Sequence, residues 1–436
     1  MTRPIIGCIA DDYTGASDLA SNLVESGLEV VQCLGVPRSF EVIAGADAVV
    51  IALKTRSCHR DEAVRQSLAA LESLQAMGAQ RFYFKYSSTF DSTDDGNIGP
   101  VAEALLKALQ AEQTIFCPAF PEYSRTVYQG HLFVGGQLLG ESGMENHPLT
   151  PMNDANLVRV LSKQTRLHVG SVPYGQIREG DKSLQEYLQV LQVADKRFII
   201  VDALSKEHLR IIAKACAYMP LVTGSSGLAI ELPDVYRAIG LLSNERLIPR
   251  MTKVLGRTAI LSGSCSKATQ EQVVFMRSRC PSLILDGRKC VASRDNVVNE
   301  AIDWSGKQNL DMPILIYSTA VASEVASLQS EFGGHIAATA IESTFAAIAS
   351  RLVKECGVRR MIVAGGETSG AVVSDLGVRA LRIGPRIATG VPWTESIGER
   401  PLAFALKAGN FGAPDFFQKA LEMLSAPIKP LLKSLR

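Results

Sequence analysis

Short apolar runs alternate with longer amphipathic stretches through the first half of the chain. Residues 4–10, 29–34, 48–53, 81–85, 114–117, 198–202 and 220–223 read as apolar segments of strand length. Between them, apolar positions recur at helical spacing over 16–26, 61–77, 100–111, 154–161, 184–193 and 206–218. Apolar strands separated by helices predict a parallel sheet covered on both faces. One stretch, 126–139, departs from this rhythm. Gly135-Gly136 sits there between two short apolar runs and predicts a β-hairpin inserted into the α/β domain.

The rhythm weakens over 230–257, which holds Leu232-Pro233, Ile248-Pro249 and a basic cluster of Arg246, Arg250, Lys253 and Arg257. A connection is expected at 241–255, between a first domain over 1–240 and a second over 256–424. The second domain restarts the pattern with strands expected at 258–261, 283–285, 314–318, 360–363 and 381–383. Its helices are expected at 267–279, 294–303, 340–356 and 369–376. The fold class is therefore α/β, with two α/β domains and largely parallel sheets.

Length agrees with this division, since 436 residues at roughly 150 per domain give two or three domains. With 47% hydrophobic and 20% charged residues, the chain has material for sizeable cores, and disorder is excluded. The net charge of +1 and 6% aromatics offer no field or stacking platform for nucleic acid. Apolar runs fall far short of the ~18 residues of a membrane helix. The N-terminal apolar run is cut short by Asp11 and Asp12, so export is not expected. Nine cysteines without a CxxC spacing read as free, mostly buried thiols in a reducing cytoplasm. Six scattered histidines form no HxH or HExxH pair, and no protein-built metal site is expected.

Ligands of open α/β sheets bind beyond the carboxyl ends of the strands, so those positions carry the chemistry. The first strand ends in Asp11-Asp12-Tyr13-Thr14-Gly15. An aspartate there can take a proton from a hydroxyl, hold a cation such as Mg²⁺, or simply cap the following helix. Arg56, after the third strand, presents a planar fork suited to a carboxylate or phosphate. Lys85 ends the fourth strand and opens the hydroxyl-rich segment Tyr86-Ser87-Ser88-Thr89-Phe90-Asp91-Ser92-Thr93, suited to a small polyol acid. His147, in a long loop, is a candidate acid, base or donor to an acid.

In the second domain, Gly263-Ser264-Cys265-Ser266 and Gly365-Gly366-Glu367-Thr368-Ser369-Gly370 both lie between a strand and a helix. Their amides and hydroxyls can cradle phosphate. Gly409, in Lys407-Ala408-Gly409-Asn410, would let backbone approach a ligand. The P-loop, the GxGxxG fingerprint, protein-kinase signatures and the GxSxG elbow are all missing.

Together these residues resemble the four-carbon acid sugar kinase family over nearly the whole chain. The carriers are Ile9-Ala10-Asp11-Asp12-Tyr13-Thr14-Gly15-Ala16, Gly365-Gly366-Glu367-Thr368-Ser369-Gly370 and Gly390-Val391-Pro392-Trp393. Within the family, the 84–93 segment, Asn97-Ile98-Gly99-Pro100, Gly130-His131-Leu132-Phe133-Val134 and Glu141-Ser142-Gly143-Met144 are most similar to its 3-oxo-tetronate kinases. Tyr13, Arg386 and Thr389 depart from the family's usual residues. The resemblance implies a sugar-acid domain followed by an ATP domain, with γ-phosphoryl transfer to the 4-hydroxyl of 3-oxo-tetronate. It places Asp11, Asp12, Arg56 and Lys85 at the substrate, with Ser87, Ser88 and His147 as further candidates. It places Ser264, Gly366, Glu367, Thr368, Ser369 and Gly409 at the nucleotide.

The expected cofactors are ATP and Mg²⁺, with Mg²⁺ carried on the ATP phosphates. Asp12 is the expected general base and Asp11 its orienter, while Arg56 and Lys85 would fix the substrate carboxylate. A D-threonate or D-erythronate kinase is the nearest alternative, and a non-catalytic nucleotide- or sugar-acid-binding regulator is the alternative from another class. Partners are small molecules, with no nucleic acid or membrane; a homodimer is allowed.

Overall fold

A computed structural model describes residues 4–37, 45–147, 149–249, 251–319, 327–328 and 330–425. Arg250, part of the basic cluster noted above, lies outside them. The chain divides into two compact units, one of Met1–Pro249 with Arg379–Ile383, the other of Arg250–Val378 with Gly384–Arg436.

The first unit is built on strands β1 (Ile6–Ala10), β2 (Val30–Leu34), β3 (Ala48–Ala52), β4 (Arg81–Lys85), β5 (Thr114–Cys117), β9 (Val169–Val172), β10 (Phe198–Val201) and β11 (Leu221–Gly224). Their order is β2-β3-β1-β4-β11-β5-β10-β9. The pairs among them run parallel, with Ala10 beside Ala52 on one side and Lys85 on the other. β1 and β3 are buried at every position, as expected of central strands in a sheet covered on both faces. Residues 379–383 join the outer edge of this sheet, where Ala380 to Arg382 pair antiparallel with β2.

The inserted segment is a three-stranded antiparallel sheet, not a single hairpin. Its strands are β6 (Arg125–Tyr128), β7 (His131–Val134) and β8 (Gln137–Leu138). Gly135-Gly136 makes the β7–β8 turn. The additional turn is Gln129-Gly130, with both φ positive at 48° and 71°, the mirror-image turn that tight hairpins favour. Gln129 gave no glycine-pair signal, so this turn was not expected.

In the second unit β12 (Arg257–Ser262), β13 (Ser282–Ile284), β14 (Ile314–Tyr317), β15 (Val358–Ala364) and β18 (Ala403–Lys407) run parallel in the order β13-β14-β12-β15-β18. β17 (Val391–Ser396) pairs antiparallel with β18 and is followed in the sheet by β16 (Ala380–Ala388). The core gathers Ile260, Leu315, Ile362, Trp393, Phe416 and Phe417. The Trp393 indole donates to the Ala420 carbonyl at 3.0 Å, which satisfies its one polar atom.

Helix Ile336–Glu355 is long and apolar enough to cross a membrane by length and composition alone, contrary to the sequence expectation. It packs against the helices Gly287–Ala292, Arg294–Gly306 and Gly366–Asp375 and buries Phe345, Ile348, Ala349 and Leu352.

Candidate active site

In each unit the strand order reverses beside the first strand of the unit. In the first, the chain runs from β1 to β2 and β3 on one side and returns to β4 on the other. In the second it runs from β12 to β13 and β14, then returns to β15. Reversal opens a crevice at the carboxyl ends of these strands, where ligands of α/β sheets bind.

The crevice of the first unit holds a charged cluster. Asp11 follows β1 and is 4% exposed. The Arg56 guanidinium donates to it through Nε (2.9 Å) and Nη2 (2.8 Å), a bidentate pair. Arg56 Nη2 also reaches Asp12 Oδ1 at 2.7 Å, and its Nη1 lies 3.6 Å from Asp91 Oδ2. Lys85 Nζ lies 3.6 Å from Asp12 Oδ1. The backbone locks this arrangement, because Thr55 and Arg56 both donate their N–H groups to the Asp11 carbonyl. Asn97 Nδ2 in turn holds the carbonyls of Thr55 and Cys58 at 2.8 and 2.9 Å.

Asp12 caps the helix Tyr13–Glu25, accepting from the Gly15 N–H at 3.1 Å. Oδ1 makes the contacts with Gly15, Arg56 and Lys85, and Oδ2 stays outside them. Gly15 has to be small here, since a Cβ would stand 1.8 Å from Lys85 Nζ. Burial raises the Asp12 carboxyl, but Lys85 and Arg56 outweigh it and hold the group below the usual carboxylate range. Burial pushes the Asp11 carboxyl up against the opposing pull of Arg56. Arg56 itself is held more firmly charged, its loss of hydration outweighed by Asp11 and Asp12.

Of the other sugar-side candidates, Ser87 shares a hydrogen bond with Thr89 at 2.8 Å, and Thr89 Oγ1 donates to Asp91 Oδ1 at 2.7 Å. The hydroxyl segment thus leads back to Arg56 through Asp91, a residue that sequence reasoning did not single out. Phe90 and Asp91 both adopt positive φ, 65° and 47°, a backbone state that aspartate tolerates better than phenylalanine. That pair of conformations turns the segment inward, and no sequence signal marks it. Ser88 enters no hydrogen bond with the cluster among the described residues. His147 is tied locally, its Nδ1 accepting from the Thr150 N–H at 3.0 Å, and forms no contact with the aspartates.

The crevice of the second unit opens into a cavity of about 780 Å³. One end is polar, formed by Gly263, Ser264 and Cys265 after β12 and by Gly365, Gly366, Glu367 and Thr368 after β15. The other end is apolar, with Ile284, Leu285, Ala337 and Ile341. Ser318, Thr319 and Asp286 line it too and were not anticipated. Gly365 has φ of 131°, and a Cβ there would press on Thr368 Oγ1 at 2.9 Å. Ser369 is buried beneath the turn, its Oγ donating to the Val363 carbonyl. Gly409 packs directly on Ser264, where a Cβ would come within 2.4 Å of Oγ. Arg386 on β16 and Thr389 next to Gly390 do not line the cavity.

A Cβ at Gly366 meets nothing within 4 Å, and the residue opens a helix. Gly366→Val is therefore expected to leave the melting temperature unchanged while placing a branched side chain in the cavity. Calorimetry should find binding of a nonhydrolysable ATP analogue about ten- to a hundredfold weaker, as expected when backbone approach to phosphate is blocked. Unchanged affinity would remove this turn from the nucleotide site.

A family described as "Sugar-binding N-terminal domain" matches residues 6–232, and one described as "Nucleotide-binding C-terminal domain" matches 259–417. The chain belongs to the four-carbon acid sugar kinase family that these two domains define. Among its relatives, the 3-oxo-tetronate kinase of Burkholderia multivorans is 51% identical over 97% of this chain and 98% of its own. The enzyme of that name from Cupriavidus necator is 49% identical over the same shares of the two chains. A crystal structure of a Haemophilus influenzae protein superposes with a TM-score of 0.84 at 43% identity, covering 96% of this chain and all of that one. Another, from Salmonella typhimurium LT2, gives a TM-score of 0.88 at 43% identity over 96% and 99%.

Proposed function

We propose that this chain is an ATP-dependent sugar-acid kinase that transfers the γ-phosphoryl group to the 4-hydroxyl of 3-oxo-tetronate. The observation that carries the reading is a pair of strand-end crevices in a chain 51% identical, over nearly its full length, to a 3-oxo-tetronate kinase. One crevice is ionic, and its Arg56 and Lys85 cations suit a small acid. The other joins a glycine-rich turn to an apolar recess, the two chemistries of a nucleotide.

In this reading the new bond joins the substrate O4 to the γ-phosphorus, the bond from that phosphorus to the bridging oxygen breaks, and ADP leaves. The O4 proton passes to Asp12, for which we assign Oδ2. A carboxylate below its usual pKa is a weak base, so its worth lies in accepting the O4 hydrogen bond and aligning that hydroxyl with the γ-phosphorus as the proton leaves. Asp11 holds Arg56 in place. Lys85 and the Nη1 edge of Arg56 then face the substrate carboxylate, with Ser87 and Ser88 toward its hydroxyls. His147 is kept as an outer donor. The amides of 366–368, at the start of their helix, receive the phosphates beside the Ser264 hydroxyl, with Gly409 pressed against Ser264. In this reading Mg²⁺ arrives on the nucleotide. Glu367 is the carboxylate beside the turn that would offer Mg²⁺ a ligand, and the ion would neutralise phosphate charge. The setting we propose is the cytoplasm, where nine free thiols would persist, and a homodimer is allowed.

Coupled measurement of ADP release over 3-oxo-tetronate, D-threonate and D-erythronate tests the reading. Release should require ATP-Mg²⁺ together with an acid, and 3-oxo-tetronate should have the highest kcat/KM. Equal or better turnover of D-threonate or D-erythronate would refute the substrate and keep the kinase.

A further inference from the structure

Lys407 ends β18 and is 1% exposed. Its Nζ donates to Thr269 Oγ1 (2.9 Å), the Gly409 carbonyl (3.0 Å) and the Ala408 carbonyl (3.1 Å). Three acceptors match the three protons of an ammonium, whereas the lone pair of a neutral amine would face an oxygen. None of the three carries charge. Among the described residues no carboxylate stands within ion-pair distance of Nζ, and the nearest ring, Phe416, is 6.0 Å away. Loss of hydration pushes the group down to about 8. A buried cation without a counter-ion is costly to keep.

Its position shows what the charge could serve. The Lys407 carbonyl accepts from the Gly365 N–H at 2.9 Å, at the head of one phosphate-side turn. The Gly409 carbonyl, which takes the ammonium, also accepts from Ser266 Oγ (2.6 Å) and Thr269 Oγ1 (2.8 Å). Ser266 contacts Ser264, which lines the cavity. One residue therefore braces both turns, with its cation beneath them.

Resting on the nucleotide reading above, we propose that Lys407 is a positioning residue for the nucleotide phosphates, its buried ammonium supplying positive potential under the two turns while holding the Gly409 loop against Ser264. The counter-ion missing from the protein is the polyphosphate. A charge acting from beneath, through poorly screened protein, attracts in proportion to the phosphates present.

Lys407→Met in the full chain keeps the stem and removes the charge, and the Gly409 carbonyl retains its two hydroxyl donors. Affinities for adenosine, AMP, ADP and ATP are measured by calorimetry for parent and variant. The expected loss rises with phosphate count, from none for adenosine to about tenfold or more for ATP, the scale of one buried charge acting on a polyanion over several ångströms. The melting temperature should hold or rise. Ser266→Ala, which loosens the Gly409 loop and leaves all three Nζ contacts in place, should shift all four affinities alike. If Lys407→Met does not fold, Lys407→Gln retains a donor for Gly409 and should give the same graded loss. An equal loss for all four ligands, or none, overturns the proposal while the nucleotide site stands. A parent chain that binds none of the phosphorylated ligands overturns the nucleotide reading and the proposal with it.

Discussion

Asp12→Asn is expected to lower kcat by about 10²–10⁴-fold, the usual worth of a positioned general base. The substitution keeps the side-chain shape and the cap, because Asn accepts from the Gly15 N–H as well as Asp does. The sugar acid should bind as well or better, since a negative charge beside an anionic substrate is removed. Some stability should be lost, because Lys85 is buried and Asp12 is its ion-pair partner. A loss of about 1–3 kcal/mol is the scale for a charged hydrogen-bonding group left without its partner. The rate effect therefore has to be read at a temperature where the variant is fully folded, with kcat, KM and melting temperature measured together. A purely structural Asp12 would change melting temperature and leave kcat alone, and a normal kcat would transfer the base to Asp11. The geometry weighs against that transfer, since both oxygens of Asp11 are engaged by Arg56.

Much of the scaffold was legible because a fully buried parallel strand has no polar alternation to confuse it. Arg81–Lys85 and Thr114–Cys117 fall where their apolar runs end, and the glycine turns of the second unit follow strands as their spacing requires. Elements that depend on partners were not legible. β17 contains Pro392 and pairs antiparallel with β18, so neither strand fits the strand–helix rhythm. The Gln129-Gly130 turn rests on a positive φ at glutamine, a state its neighbours impose. In the candidate site, the residue types at strand ends could be read, but their pairing could not. Arg56 looks like an open fork in the sequence. In the fold it is bound to an aspartate 45 positions away, because β1 and β3 are neighbours in the sheet. Asp91 joins it only through two consecutive residues of positive φ.

Arg56→Ala is accordingly expected to unsettle the fold before it unsettles substrate binding. Asp11 would keep its buried position and lose both hydrogen bonds to the guanidinium, and removing one partner of a buried pair costs roughly 3–5 kcal/mol. The pH dependence has a definite sign. Burial already raises the Asp11 carboxyl, and Arg56 opposes that rise. Without Arg56 the folded-state pKa climbs further above the unfolded value near 4. A carboxyl raised in this way costs the fold nothing below its unfolded pKa and destabilises it as pH rises through the folded one. The stability deficit of Arg56→Ala should therefore be small near pH 4 to 5 and grow toward pH 8. Arg56→Lys should recover little, because a single ammonium cannot make the two parallel bonds of the fork. Adding Asp11→Ala to Arg56→Ala should restore part of the lost stability at pH 8, since the stranded charge is gone, while activity stays low. Denaturant titrations of the two single variants and the double variant at pH 5 and pH 8 measure this coupling. A pH-independent deficit, or a double variant no more stable than Arg56→Ala, would mean that Asp11 does not depend on Arg56 for its place in the fold.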